Sequence, residues 1–165
     1  MTRKSSMAPV GATDARLIVL GSLPGDASLA AQRYYAHPTN QFWRLLGGAV
    51  GEELAGLAYE ERLARIAARG VALWDVVAEA VRPGSLDGAI REVRGNALAE
   101  FVAGHERIEA VAFNGQTAAT IGRRALVGVE GVKLIDLPSS SAAYTLGLGA
   151  KAARWQCLAE HVDPA

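Results

Sequence analysis

The chain has 165 residues, 50% of them apolar and 21% charged, which suffices for one buried core and is too apolar for a disordered chain. Its 17 Lys and Arg balance 17 Asp and Glu, which excludes a protein that coats nucleic acid by bulk charge. One cysteine (Cys157) and three dispersed histidines (His37, His105, His161) exclude a disulfide framework, a cysteine zinc cluster and an iron–sulfur site, and the pattern implies no metal or other cofactor.

Residues 1–15 read as a disordered arm and 16–165 as one domain. No stretch reaches the ~18 apolar residues of a membrane helix. Residues 1–16 lack the apolar run of a signal peptide, so a cytoplasmic protein that is not membrane-bound is expected. Residues 17–20 form a short apolar run closed by Gly21 and Pro24, a buried strand entering a loop. The segment 21–40 is a long loop with one helical turn after Ser28, and loops of this length in compact domains tend to be functional. A helix starts over 41–46, with Asn40 placed to cap it and Gly47 and Gly48 weakening it. Leu63, Ile66 and Ala67 have helical spacing, and Gly70 is a C-terminal stop. Residues 71–77 read as a second strand, and Ser85 and Asn96 as caps of two further helices. Residues 110–113 form a third strand ending at Asn114-Gly115, with a helix from about Gln116. Residues 132–137 form a fourth strand ending at Pro138. Trp155, Leu158, Ala159 and Val162 mark a closing amphipathic helix. The expected fold is α/β: a single three-layer domain with a central, mainly parallel four-stranded sheet flanked by helices.

Ligands of open α/β sheets bind outside the carboxyl ends of the strands. Three of those ends carry Gly21-Ser22-Leu23-Pro24-Gly25, Asn114-Gly115 and Pro138-Ser139-Ser140-Ser141, so the site should work with amides, hydroxyls and backbone N–H groups. Charge is uneven. Residues 1–51 carry five basic and two acidic side chains, 52–109 seven and eleven, 110–165 five and four. Residues 137–159 hold Lys151 and Arg154 and no acid, a surface that suits a polyanion. The GxGxxA match at Gly147 follows a loop, not a strand, and carries no dinucleotide reading. No GxSxG elbow supports a serine hydrolase.

Four of the ten residues in Tyr34-Tyr35-Ala36-His37-Pro38-Thr39-Asn40-Gln41-Phe42-Trp43 are aromatic in a chain that is 6% aromatic overall. Phe42 and Trp43 suit the core of the following helix, whereas Tyr34 and Tyr35 precede it and suit stacking on a flat ring. With Gly21-Ser22-Leu23-Pro24-Gly25, Phe113-Asn114-Gly115, Gly84-Ser85-Leu86-Asp87 and Leu137-Pro138-Ser139-Ser140-Ser141, this run resembles the uracil-DNA glycosylase superfamily, and within it the hypoxanthine-DNA glycosylase branch. The resemblance implies a monofunctional glycosylase of the same fold that flips a deaminated base, most of all hypoxanthine, out of DNA and directs water to the anomeric carbon. Uracil excision and a non-catalytic DNA-binding module are the alternatives. It assigns catalysis to Asn40, whose carbonyl would fix the water, and to Asn114, which would also read the base edge. It assigns base binding to Ser22, Leu23 and Tyr35, and DNA contacts to His37, Pro138, Ser139, Ser140 and Ser141. Leu23 stands where the mismatch-specific branch has a water-holding Asn, and Leu137 or Pro138 where uracil enzymes have a His. Asp75 and Asp87 read as structural, and the implied partner is DNA bound by a monomer.

Overall fold

The computed structural model describes residues 3–165, the side chain of Glu92 excepted. Two short strands, β1 (Arg3–Ser5) and β2 (Val10–Gly11), precede β3 (Leu17–Gly21). Helices α1 (Asp26–Ala31), α2 (Phe42–Val50) and α3 (Tyr59–Ala68) lead to β4 (Val71–Asp75), β5 (Val77–Val81) and β6 (Arg91–Gly95). Then come α4 (Leu98–Ala103), β7 (Ala110–Asn114), α5 (Gln116–Ala125), β8 (Lys133–Leu137) and α6 (Leu148–Trp155).

The central sheet has the order β2-β4-β3-β7-β8, and β4, β3, β7 and β8 run parallel. These are the four expected strands. The sheet nevertheless has five, because β2 pairs antiparallel at its edge, Val10 opposite Leu73. Both sheet faces are covered, so its strands are continuous apolar runs. Leu17, Val19, Leu73 and Ala112 face α2, α3 and α6, while Ile18, Leu20, Val111 and Phe113 face α4 and α5. The result is the three-layer arrangement read from the sequence.

Several expectations need correction. The expected strand over 71–77 is broken at Val76, where the chain leaves the central sheet and enters a second, antiparallel sheet of order β1-β5-β6. The arm expected over 1–15 is structured from residue 3 onward, residues 1 and 2 lying outside the described part. Arg3–Ser5 pairs with β5, Val10–Gly11 with β4, and Ala15 is wholly buried. Hydrogen bonds from Tyr34 Oη to Ala8 O (2.9 Å) and from Trp74 Nε1 to Met7 O (3.0 Å) hold the segment between. Asn96 does not cap a helix; its Nδ2 donates to the carbonyls of Asp75 and Val77. Ser85 Oγ accepts the Asp26 N–H at the start of α1 (2.9 Å), joining two distant loops. Helix α2 continues through Gly47 and Gly48, and a Cβ on Gly47 would meet Glu52 O at 2.6 Å. The closing helix ends at Trp155 and tightens into a 3₁₀ segment, Gln156–His161, which keeps Trp155 and Leu158 buried but exposes Ala159. Among the described residues no helix is long and apolar enough to cross a membrane.

Candidate functional site

From β3 the chain continues to β4 on one side and later returns to β7 on the other, so the strand order reverses between Gly21 and Asn114. Such reversals open a crevice at the carboxyl edge of a parallel sheet. A cleft of about 640 Å³ lies there, walled by the loops after β3, β7 and β8, by Asp75 at the end of β4, by the turn between β5 and β6 and by the Tyr34–Asn40 segment. A Cβ on Gly21 would stand 2.7 Å from both Asp75 Oδ1 and Tyr35 Oη, so only glycine lets the two oxygens converge over the backbone.

Asn40, Ser140 and Asn114 form a chain of hydrogen bonds whose directions are all determined. Phe42 N–H can only donate, so Asn40 must turn Oδ1 toward it (2.9 Å). Ser140 N–H likewise fixes Asn114 Oδ1 (2.9 Å), which leaves Asn114 Nδ2 to donate to Ser140 Oγ (2.9 Å). The single Ser140 hydroxyl hydrogen then goes to Asn40 Oδ1 (2.8 Å). Two donors occupy the Asn40 carbonyl, so it is not the water-fixing group expected from the sequence. The Asn40 Nδ2 hydrogens have no protein partner among the described residues, and they lie on a residue that lines the cleft.

Asn114, 6% exposed, exchanges two hydrogen bonds with Ser140, accepting at Oδ1 and donating from Nδ2. Asn114 lines the cleft, but Ser140 engages its Oδ1 and one Nδ2 hydrogen, which leaves it a single donor toward a base edge and not the donor–acceptor pair expected from the sequence. Ser140 is wholly buried with both polar atoms engaged, which removes it from the expected phosphate contacts. Pro138 is also buried, its carbonyl accepting from Trp155 Nε1 (2.9 Å), so it stiffens the loop instead of meeting DNA. Ser139 and Ser141 are half-exposed. Ser139 Oγ accepts from Ser141 N–H (3.1 Å) and Ser141 Oγ from Ala143 N–H (3.2 Å), and among the described residues neither hydroxyl hydrogen has an acceptor.

Tyr35 lines the cleft in the left-handed region (φ +53°), uncommon for a bulky residue. One ring face stacks on Phe42 (centroids 3.7 Å, 11° between planes), so only the opposite face is left for a base. Burial, reinforced by Asp75, pushes its phenol well above the ordinary tyrosine range. Tyr34, by contrast, is a core residue. His37 is exposed at the rim, its Nδ1 held by Thr39 N–H (3.2 Å) and Thr39 Oγ1 (2.9 Å). Leu23, 5% exposed, packs into the core and also lines the cleft, while Ser22 Oγ donates to Asp87 Oδ1 (2.5 Å).

Four charged residues belong to this site: Asp75, Arg82 and Lys151, which carry no motif signal in the sequence, and Asp87, which ends the Gly84-Ser85-Leu86-Asp87 run. Asp75, 3% exposed, and Asp87 both line the cleft. Arg82 is 1% exposed and donates to the carbonyls of Leu23 (3.1 Å), Pro24 (2.5 Å) and Gly84 (3.1 Å), with Asp87 Oδ1 at 3.6 Å. It ties the loop after β3 to the turn carrying Asp87. Lys151, also 1% exposed, donates to Gln41 Oε1 (2.9 Å) and Ser141 O (3.1 Å), so it braces the serine loop and is not part of a polyanion-facing surface. Asp75 closes the parallel strand β4 at the sheet edge where ligands bind, a place the sequence marks, although its burial against the cleft depends on the fold. Among the described residues no three His, Cys, Asp or Glu side chains cluster to hold a metal ion.

A doubly covered parallel sheet with an amide- and hydroxyl-lined crevice at its switch point defines an α/β domain whose cleft lies where such sheets bind ligands. The chain belongs to the uracil DNA glycosylase superfamily, whose family model matches residues 8–159. It is 32% identical over 153 residues to the hypoxanthine DNA glycosylase of Methanosarcina barkeri, covering 93% of this chain and 96% of that protein. The hypoxanthine DNA glycosylase of Methanosarcina acetivorans is 34% identical over 145 residues, 88% and 90% of the two chains. A Methanosarcina acetivorans protein solved by solution NMR as a candidate uracil DNA glycosylase superposes with a TM-score of 0.85 at 32% identity, over 97% of this chain and 98% of that one.

Proposed function

We propose that the protein is a DNA glycosylase that hydrolyses the N-glycosidic bond of deoxyinosine and releases hypoxanthine. One observation carries this reading. The amide-and-hydroxyl cleft belongs to a chain that matches, over 93% and 88% of its length, two proteins named hypoxanthine DNA glycosylases.

The target nucleotide leaves the duplex stack, at a cost of a few kcal/mol that is smallest for mispaired bases. Its base enters the cleft against the open face of Tyr35. Breaking the bond leaves an oxocarbenium-like sugar, which needs a well-placed water more than a strong base. Asn40 Nδ2 holds that water by donating to its oxygen, which leaves a lone pair for the anomeric carbon. The relay through Ser140 and Asn114 keeps the Asn40 amide from rotating. Ser139, Ser141 and His37 sit at the rim, where hydroxyl and imidazole groups meet phosphates and fix register without reading sequence. The protein acts as a monomer in the cytoplasm, a compartment that suits a chain with one exposed cysteine.

The test is single-turnover base release from matched duplexes carrying deoxyinosine, deoxyuridine or deoxyxanthosine. Release of hypoxanthine, with strand breakage only after alkali, is expected. Release of uracil alone, or tight binding with no abasic product, overturns the reading.

A further inference from the structure

The mechanism above leaves one buried group of the cleft unused. Asp75 ends β4 beside Gly21, lines the cleft and is 3% exposed. Its Oδ2 lies 3.2 Å from Ser6 Oγ, whose single hydrogen is shared with Met7 O at the same distance, while its Oδ1 stands over Gly21 on the side of Tyr35 Oη. Among the described residues no Lys, Arg or His nitrogen lies within 4.0 Å of it. The nearby cation, Arg82, donates to the Leu23, Pro24 and Gly84 carbonyls and leans on Asp87. A carboxylate removed from water needs a counterion or a set of donors, and Asp75 has one hydroxyl.

We propose that Asp75 works as a neutral carboxylic acid whose O–H donates to the carbonyl oxygen of the flipped base, O6 of hypoxanthine, as that base departs. This rests on the glycosylase reading above. The groups facing Asp75 favour the acid form. Burial and the negative Asp87 raise its pKa, the Ser6 hydroxyl and Arg82 oppose them, and the outcome is a carboxyl pushed up to about 7. The Tyr34 and Tyr35 phenols are both held above the ordinary tyrosine range and bring no charge.

When the C1′–N9 bond breaks, its electron pair stays on the purine and spreads to O6. The water oxygen bonds to C1′, and the proton lost by water neutralises the departed base. Asp75 keeps its own proton throughout. A donor aimed at O6 tightens as charge grows there, so it binds the transition state better than the substrate. An ionised Asp75 would face the same growing charge with a like charge.

Single-turnover excision from a deoxyinosine duplex is to be compared from pH 6 to pH 9 for the wild type, Asp75→Asn and Asp75→Ala, with thermal melts confirming folding. The wild-type rate is expected to fall about tenfold per pH unit above about pH 7. Asp75→Asn also offers a donor and an acceptor but does not titrate, so it should stay within about tenfold of wild type at pH 6 and remain flat to pH 9. Asp75→Ala should be slower by roughly 10²–10³ at pH 6. An Asn variant that keeps the alkaline fall overturns the proposal, as does an Ala variant as fast as wild type. Should the wild type release only uracil, the substrate reading fails and the same comparison is made on deoxyuridine. Should it release no base, binding of free hypoxanthine decides: weakening from pH 6 to pH 9 in the wild type but not in Asp75→Asn supports the proposal, and pH-independent or absent binding overturns it.

Discussion

The side-chain carbonyl of Asn40 accepts the hydroxyl of Ser140 at 2.8 Å, a contact between residues 100 positions apart that ties the aromatic loop before α2 to the serine loop after β8. Because Asn114 Nδ2 donates to the same Ser140 oxygen, one buried hydroxyl fixes two amides at once. Ser140→Ala should therefore be costly in both stability and rate. It leaves Asn114 Nδ2 and Asn40 Oδ1 short of a partner, and stranded buried polar groups cost about 1–3 kcal/mol each. A loss of roughly 2 kcal/mol lowers Tm by about 4–8 °C in a domain of this size. Differential scanning calorimetry and single-turnover excision would check the two effects, and an unchanged Tm would show that the relay is not under load.

Asn40 has two jobs that substitution can separate. Its Oδ1 receives Phe42 N–H at the start of α2, and its Nδ2 is free for water. Asn40→Ala removes both, so it should lose about 0.5–2 kcal/mol of stability from the cap alone. Its excision rate should drop by roughly three orders of magnitude, within what water positioning contributes. Asn40→Asp keeps an oxygen for Phe42 and loses the Nδ2 donors. A melt near wild type combined with a rate as low as that of the Ala variant is expected; an Asp variant with near wild-type turnover would move the water elsewhere.

The parallel core of the sheet was legible because strands covered on both faces are uninterrupted apolar runs, as in Leu17-Ile18-Val19-Leu20. The second sheet was not. Its outer strands, Arg3-Lys4-Ser5 and Arg91-Glu92-Val93-Arg94-Gly95, carry almost no apolar residues, and nothing local marks them as paired. The strand ends pointed to the site, and the resemblance pointed to Asn40 within it, but the relay could not be read from sequence. Which way an amide faces depends on donors supplied by a loop far away along the chain. Asp75 shows the same limit, since an acid at a strand end has one appearance in sequence whether it meets solvent or a cleft. Lys151 on a polar-looking helix is hidden only by how α6 rotates against α2.

Lys151 braces the serine loop from inside. Lys151→Met keeps the aliphatic stem, removes a desolvated ammonium and frees the Ser141 carbonyl and Gln41. Burial pulls the lysine pKa down, which measures the cost of holding that charge. Relief of that cost and loss of two hydrogen bonds oppose each other, so Tm should move little. The loop that carries Ser139 and Ser141 loses its anchor, and affinity for any duplex should fall about tenfold, equivalent to roughly 1.4 kcal/mol. Fluorescence anisotropy on duplexes with and without deoxyinosine would check this. Weakening confined to the deoxyinosine duplex would place the effect in the base pocket and not in the loop.

Asp75 should also leave a signature on stability that needs no substrate. Its pKa is about 7 in the folded chain against an ordinary 3.8, so the folded state holds the proton more tightly than the unfolded state does. The sign follows from linkage. Its contribution is fully present below about pH 4, declines as pH rises, and is lost once pH passes the folded value near 7. Asp75→Asn carries no such penalty. The difference in Tm between the variant and the wild type should therefore open from about pH 4, grow toward pH 7 and level off above it. The full gap corresponds to about 4 kcal/mol, on the order of 10 °C in Tm. Melting curves of both proteins from pH 4 to pH 9 would measure it directly. A gap that stays constant across that range would mean that Asp75 is ionised throughout and carries no proton into the cleft.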